Sequence, residues 1–129
     1  MNSWNVVFLI DQINPSKILL LKRAGNKKFA PGMYTGVGGK IEPGETFIDS
    51  AYRELKEETG IIKVELKQLA KVVIDNNQNL FYFWGIYNSD LPTSADGTLE
   101  WVSTNKILNK NIIPTTLAML KQWQSQNFS

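Results

Sequence analysis

The sequence predicts a single α/β domain in which helices cover a mixed β-sheet. Two observations carry this prediction. Short aliphatic and aromatic runs bounded by turn residues, typical of strands, recur along the chain, and two segments show the spacing of amphipathic helices. The 129 residues are enough for one hydrophobic core and leave little room for a second. We therefore expect one domain over residues 1–129.

The first third of the chain predicts two strands, a loop and a third, shorter strand. Residues 4–13 and 17–22 are rich in aliphatic side chains, and Pro15 lies in the turn at 14–16 that separates them. Residues 24–33 are basic and punctuated by Gly and Pro, which predicts a loop. Residues 34–37 predict a short strand that leads into a pair of glycines.

A helix is predicted to begin at Thr46 and to end at Gly60. The Thr46 hydroxyl can cap the first turn, and Asp49, three residues on, gives a pair similar to a capping box. Gly60 supplies the left-handed residue that commonly follows a helix.

The faces of this helix follow from about 100° of rotation per residue. One face collects apolar and small side chains and is predicted to be buried. Three glutamates fall within an arc of about 100° that we expect on the opposite side, with Arg53 beside it. The predicted buried positions are Ile48, Ala51, Tyr52, Leu55 and Thr59, and the glutamates are Glu54, Glu57 and Glu58.

The second half predicts three strands and a terminal helix. Residues 64–74 and 80–87 predict two strands, and the second is apolar on both faces, as a central strand should be. Residues 99–103 predict a short strand, and 111–124 a helix that docks on the core. The docking positions are Ile112, Leu117, Leu120 and Trp123.

The composition excludes several kinds of chemistry. The chain has no Cys and no His, which excludes Cys/His zinc sites, thiol nucleophiles and triads with a His base. Proton transfer would then fall to Asp, Glu, Lys or Tyr, or to a metal-activated water. A net charge of +2 is too small to indicate nucleic-acid or membrane binding, and the absence of Cys and of a secretory signal predicts a cytoplasmic location.

The residues alone allow two interpretations of the three glutamates. Acidic solvated helix faces are common, and Arg53 could satisfy Asp49 and Glu57 as ordinary i,i+4 pairs. Alternatively, the turns at Gly38-Gly39 and Pro43-Gly44 could bring carbonyl oxygens and Glu45 next to the row. Oxygen ligands of this kind suit Mg²⁺ or Mn²⁺.

The segment from Gly39 to Ile61 resembles the complete signature of the Nudix hydrolases. The fixed positions are Gly39, five residues, Glu45, seven residues, then Arg53-Glu54-Leu55-x-Glu57-Glu58-x-Gly60-Ile61. The resemblance implies an α/β/α sandwich and hydrolysis of a nucleoside diphosphate linked to another group. It also implies that Mg²⁺, or Mn²⁺ in its place, is bound by the three glutamates and the Gly38 carbonyl, that Arg53 orients the cluster, and that Glu57 serves catalysis.

Residues 22–40 resemble the MutT-like branch of this family, which implies a purine nucleoside triphosphate as substrate, oxidised ones such as 8-oxo-dGTP included. The products would be the monophosphate and pyrophosphate. The resemblance places Phe29 near the base pocket and Thr35 against the base, although Phe29 could instead anchor its loop in the core. Some members carry Asn where this chain has Thr35, so a preference for oxidised guanine does not follow.

Other candidate site residues rest on weaker signals. Arg23 and Lys40 could contact phosphate or be solvated surface cations. Glu100 is the candidate for an additional catalytic carboxylate, with Asp96 as its competitor, and it could also point to solvent. Asn111 could hydrogen-bond a purine edge or cap the last helix.

We expect a small nucleotide as partner, no membrane and no stable nucleic-acid binding, and a monomer or homodimer. Alternative functions are hydrolysis of another pyrophosphate, such as a nucleotide sugar or capped RNA, and a non-catalytic nucleotide-sensing module.

Overall fold

The computed structural model describes residues 2–11, 17–26, 28–75, 77–88 and 97–127, the last four by their backbone only. The elements are β1 (Asn2–Asp11), β2 (Lys17–Arg23), β3 (Tyr34–Thr35), α1 (Phe47–Thr59), β4 (Lys67–Ile74), β5 (Gln78–Ile86), β6 (Gly97–Ser103), a 3₁₀ helix (Thr104–Asn109) and α2 (Pro114–Asn127). The turn expected at 14–16 lies outside the described residues, as does the end of the first predicted strand.

The strands form one mixed sheet. Its order is β3-β2-β1-β5-β4, and β6 pairs with β2. The β1–β5 pair is parallel, with Val7 opposite Phe83, and the other pairs are antiparallel. Because β5 lies between β1 and β4, the predicted central position of this strand is confirmed.

Each face of the sheet carries its own hydrophobic cluster, because successive side chains of a strand point to opposite faces. On one face, Val7, Leu19 and Phe83 pack with Ala51 and Leu55 of α1. The other face holds Phe8, Ile18, Leu20, Tyr82 and Val102, which pack with Leu120 and Trp123 of α2. The result is the expected α/β/α arrangement. In the described part of the chain, no helix combines the length and the apolar character needed to cross a membrane.

The terminal helix begins later than the sequence predicts. Its first residue is Pro114, not Asn111. Proline is tolerated in the first turn of a helix, and it disfavours helical backbone in the residue before it. Asn111 is thus too far from the helix to cap it, which corrects one of its two readings. The docking prediction is confirmed, since Leu120 and Trp123 are buried against the sheet.

Both predicted ends of α1 are confirmed. The backbone N–H of Asp49 donates to the Thr46 hydroxyl over 3.2 Å. At the other end Gly60 has a φ of 78°, and its N–H donates to the carbonyl of Lys56 over 2.8 Å.

The predicted orientation of α1 is wrong in part. Ala51 and Leu55 are fully buried, but Ile48 is 37% exposed, whereas Glu58 is only 8% exposed. The reason is geometric, because Glu58 lies only about 20° from Ala51 on the helical wheel. The glutamate row therefore borders the buried face and does not lie opposite it.

Candidate active site

Gly38 and Gly39 lie in an extended segment that runs antiparallel to β1, with bridges from Val37 to Val7 and from Lys40 to Trp4, and that passes between β1 and α1. The turn expected at Gly38-Gly39 is therefore not formed, whereas the one at Pro43-Gly44 is. The backbone N–H of Asn5 donates to the Gly39 carbonyl over 2.9 Å. A Cβ atom on Gly38 would overlap the Asn5 carbonyl oxygen, and one on Gly39 would lie 2.7 Å from the Glu54 carboxyl carbon. Side chains on these two residues would push the strand and the helix apart. Only glycines allow the backbone to approach the Glu54 carboxylate so closely.

The Arg53 guanidinium joins three carboxylates. Its Nε donates to Glu45 Oε2 over 2.6 Å and its Nη2 to Glu45 Oε1 over 3.0 Å, which is a bidentate pair. Its Nη1 donates to Glu54 Oε1 over 3.0 Å and to Glu57 Oε2 over 3.1 Å. The Nη2 also donates to the carbonyl of Lys40 over 3.1 Å. One side chain thus links the loop before α1 to the glutamates of the helix. We call Arg53, Glu45, Glu54 and Glu57 the Arg53 cluster.

The charges in the cluster stabilise one another. The hydrogen bond from Arg53 lowers the pKa of Glu45 below its ordinary value, helped by the backbone N–H of Glu42. The hydrogen bond with Glu45 is also the largest cause of the raised pKa of Arg53. The guanidinium is thus a cation held beside three carboxyl groups. The pairing that the sequence left open with Asp49 is instead made with Glu45, while the pairing with Glu57 is confirmed.

The residues present fit a hard divalent cation. Glu54 is 15% and Glu57 is 58% exposed at the side chain, and Glu58 is buried, so the row runs from the protein interior to solvent. Across the described ranges no three acidic side chains converge closely enough to enclose a metal ion by themselves. Magnesium is commonly held by few carboxylates, and it completes its shell with water and substrate phosphates. A solvent-open row of carboxylates beside the extended Gly38-Gly39 segment suits a cation that binds in this way.

Arg23, the last residue of β2, contacts Phe29 in the loop that follows this strand. The Arg23 Nε donates to the Phe29 carbonyl over 2.8 Å, and the guanidinium carbon lies 5.6 Å from the centre of the Phe29 ring. The Phe29 side chain is 67% exposed. Phe29 therefore does not anchor its loop in the core, and one of its two readings is corrected.

Glu100 is held on the α2 face of the sheet. It lies opposite Leu20, which belongs to the α2-side cluster, and cross-strand neighbours share a face. The Tyr34 hydroxyl donates to Glu100 Oε1 over 2.9 Å, and the Lys110 ammonium lies 2.7 Å from Glu100 Oε2. The structure does not bring Glu100 to the Arg53 cluster, which lies on the α1 side. Its competitor Asp96 lies outside the described residues.

Thr35 lies in β3 opposite Leu21, which belongs to the α1-side cluster, and Asn111 lies in the segment that precedes α2. The hydroxyls of Thr35 and Thr116 are 3.0 Å apart and share a hydrogen bond, and Thr116 belongs to α2. Asn111 is exposed, and its carbonyl accepts the N–H of Tyr34 over 2.9 Å. Lys40 is exposed and belongs to the α1 side, where its carbonyl contacts Arg53.

Two buried polar residues at this site are missing from the sequence-based set. Asn5 in β1 and Ser50 in α1 are 2% and 0% exposed and are bonded to each other. Asn5 had a visible signal, because it is a polar residue directly before an aliphatic run. Nothing in the sequence indicated the role of Ser50, since serine in a helix is usually a solvated residue.

The comparisons with known proteins agree on the family. The NUDIX domain family matches residues 3–123. The Bacillus subtilis protein named "Uncharacterized Nudix hydrolase YvcI" is 31% identical over 108 residues, which is 76% of this chain and 65% of that protein.

Two further relatives match over shorter stretches. An NAD-capped RNA hydrolase, NudC, from Chromobacterium violaceum is 39% identical over 39% of this chain and 21% of its own length. A mouse oxidized purine nucleoside triphosphate hydrolase is 39% identical over 47% of this chain and 38% of its own length. The chain thus spans less than two thirds of each of these three relatives.

Solved structures show the same fold. The NUDIX domain of Shewanella oneidensis NrtR, complexed with ADP ribose, has a TM-score of 0.80 at 16% identity, over 96% of this chain and 86% of that one. A MutT structure from a study of Aliivibrio salmonicida and Vibrio cholerae has a TM-score of 0.78 at 23% identity, over 97% and 98%. Since the domain match covers residues 3–123, the chain belongs to the NUDIX domain family.

Proposed function

We propose that this chain is a Mg²⁺-dependent hydrolase of nucleoside triphosphates. The proposed substrate is a purine deoxynucleotide, with 8-oxo-dGTP among the candidates, and the products are the monophosphate and pyrophosphate. The observation that carries the proposal is the Arg53 cluster, in which one guanidinium holds Glu45, Glu54 and Glu57 beside the extended Gly38-Gly39 segment.

The proposed roles follow from the oxygen donors of α1. Glu54, Glu57, Glu58 and the carbonyl of Gly38 would hold the metal, and Mn²⁺ could replace Mg²⁺. A bound divalent cation supplies charge neutralisation on phosphate oxygens and makes a coordinated water more acidic. Arg53 keeps the glutamates aligned. Divalent metals are generally used in this family, which supports the assignment.

The substrate side of the proposal rests on the loop after β2, on β3 and on the segment before α2. The exposed ring of Phe29 offers a flat surface for a base, and Arg23 beside it offers a cation for phosphate. Lys40 is a second proposed phosphate contact. Thr35 and Asn111 are proposed to contact the base. The name of the mouse relative, a hydrolase of oxidized purine nucleoside triphosphates, supports this substrate class.

Glu100 stays a proposal with an altered role. It bonds Tyr34 and Lys110 and so ties β6 to the segment that precedes α2. Because Lys110 is next to Asn111, we propose that Glu100 positions that segment for the base and does not act on the phosphates.

The test combines a substrate panel with one substitution. Canonical and oxidised dNTPs are incubated with Mg²⁺, and release of pyrophosphate or phosphate is identified. Glu57→Gln should lower turnover by about 100-fold or more, the scale of removing one electrostatic group from a catalytic site. Glu65→Gln, an exposed glutamate outside α1, is the matched control and should leave turnover unchanged. Wild-type activity in Glu57→Gln on every nucleotide would show that the metal assignment is wrong.

A second candidate function is hydrolysis of another pyrophosphate. The similarity to an NAD-capped RNA hydrolase favours adding capped RNA to the panel, together with nucleotide sugars. A higher kcat/KM on one of these than on any dNTP would select this alternative. Tight nucleotide binding without hydrolysis in Mg²⁺ or Mn²⁺ would instead indicate a non-catalytic sensing module.

A further inference from the structure

We propose that Asn5 and Ser50 are positioning residues for the metal site. Their hydrogen-bonded side chains hold the extended Gly38-Gly39 segment against α1 and so fix this segment relative to the glutamates. This inference rests on the proposed function, because it concerns the geometry of the same metal site.

The two side chains form a buried network that joins three separate segments. Asn5 Nδ2 donates to Ser50 Oγ over 3.0 Å, and Ser50 Oγ donates to the Phe47 carbonyl over 2.7 Å. Asn5 Oδ1 accepts the N–H of Gly39 over 3.3 Å, and the Asn5 N–H donates to the Gly39 carbonyl. Asn5 therefore contacts Gly39 with both its backbone and its side chain, and it contacts α1 through Ser50.

The network costs free energy that an apolar pair would not cost. Asn5 is 2% and Ser50 is 0% exposed, and burying amide and hydroxyl groups is favourable only when they are hydrogen-bonded. Replacing both residues together by apolar side chains of similar shape can be neutral for stability, whereas replacing only one leaves its partner buried without a hydrogen bond. Buried polar networks are directional, however, and they specify one arrangement of the segments that they join.

What this network specifies is the distance between the Gly38-Gly39 segment and the glutamates. Gly38 lies directly against the backbone of Asn5, and Gly39 lies against the Glu54 carboxylate. Any shift of this segment towards or away from α1 moves the Gly38 carbonyl relative to Glu54 and its neighbours. Groups that orient metal ligands commonly change metal affinity by about 10- to 100-fold when they are removed.

The test measures metal binding itself and not turnover. Mn²⁺ is titrated into the full chain, and free Mn²⁺ is followed by electron paramagnetic resonance. We expect Ser50→Ala and Asn5→Ala each to raise the Mn²⁺ dissociation constant about 10-fold. The double variant should bind no more weakly than Asn5→Ala, because each single change breaks the same network. If Asn5→Ala does not fold, Ser50→Ala decides alone, since it removes only one oxygen atom.

The control is Tyr52→Phe, which removes another hydroxyl from α1. That hydroxyl accepts the N–H of Leu66 over 2.8 Å and is not part of the Asn5–Ser50 network. It should lower the unfolding temperature and leave the Mn²⁺ dissociation constant unchanged. Unchanged Mn²⁺ affinity in Ser50→Ala and in a folded Asn5→Ala would overturn the positioning role and leave the proposed function intact. A wild-type chain that binds no Mn²⁺ would overturn the metal site and this inference together.

Discussion

Arg53 resolves the electrostatic conflict of the glutamate row at the level of single atoms. Like charges spaced along one helix repel, so a stable row needs a cation near it. The structure supplies that cation from the same helix, because Arg53 reaches Glu45, Glu54 and Glu57 at once. The row is therefore held in place by a side chain of its own helix. A planar guanidinium has the five donors that this arrangement uses, and an ammonium does not.

We predict that Arg53→Lys lowers kcat by about 10- to 100-fold while α1 stays folded, because Lys cannot bridge several carboxylates in fixed directions. Steady-state kinetics over a Mg²⁺ series would measure the loss, and far-UV circular dichroism would report the helix. Lys56→Arg, which exchanges a basic residue at an exposed position of the same helix, should match the wild type. Equal kcat in Arg53→Lys and wild type would rule out the orienting role.

At the scale of elements, the ends of α1 could be predicted and its rotation could not. Caps are local, so Thr46 and Gly60 could be recognised from the chain alone. The buried face depends on what lies beneath the helix. There the extended Gly38-Gly39 segment has no side chains and leaves room for Glu54. The Phe47 ring stacks on the Phe81 ring, with centroids 3.8 Å apart.

The contacts of Glu100 could not be predicted from the sequence either. Glu100 and Tyr34 are 66 positions apart in the chain, and their meeting depends on the pairing of β2 with both β3 and β6. A strand glutamate looks the same in a sequence whether it faces solvent or an ion pair. The hydrogen bond from Lys110 is the largest cause of the lowered pKa of Glu100, followed on the lowering side by Tyr34, and Lys22 adds to it.

We predict that Glu100→Gln destabilises the fold at pH 7 and that the difference from wild type shrinks in acid. A carboxyl whose pKa is lowered by folding stabilises the folded state fully above its ordinary pKa of 4.5. This contribution is lost as the pH falls from that value through the lowered pKa. The effect should be small, since the pair is partly exposed to solvent. Urea unfolding of both proteins from pH 7 to below pH 4.5 measures it, and a difference that grows in acid would contradict the prediction.

At the scale of the whole molecule, the sheet separates two kinds of work. The α1 face carries the Arg53 cluster and the Asn5–Ser50 network, and the α2 face carries Glu100 with its partners Tyr34 and Lys110. The α/β class and the number of strands in the described chain could be predicted from hydrophobic runs. The parallel pairing of β1 with β5 could not, because it joins residues more than 70 positions apart. That pairing places the start of the chain beneath the helix and makes Asn5 part of the site.

This division predicts that damage to the α2 side lowers stability without loosening the metal site. Trp123 is 2% exposed and packs on Phe8 and Trp84, with ring centres 5.9 and 5.7 Å away. Trp123→Ala should therefore lower the free energy of unfolding by about 3–5 kcal/mol, a large part of the total for a domain of this size. Urea unfolding measures the loss, and Mn²⁺ titration under native conditions should give the wild-type dissociation constant.

The matched comparison is Leu55→Ala, a fully buried truncation on the α1 side that should cost about 2–5 kcal/mol. Because Leu55 lies beneath the turn of helix that carries Glu54 and Glu58, this variant should weaken Mn²⁺ binding as well as stability. Two variants of similar stability would then differ in metal affinity, which attributes the difference to position and not to global loosening. If Trp123→Ala weakened Mn²⁺ binding as much as Leu55→Ala, the two faces of the sheet would act as one unit, and contacts on the α2 side would have to be counted among the supports of the metal site.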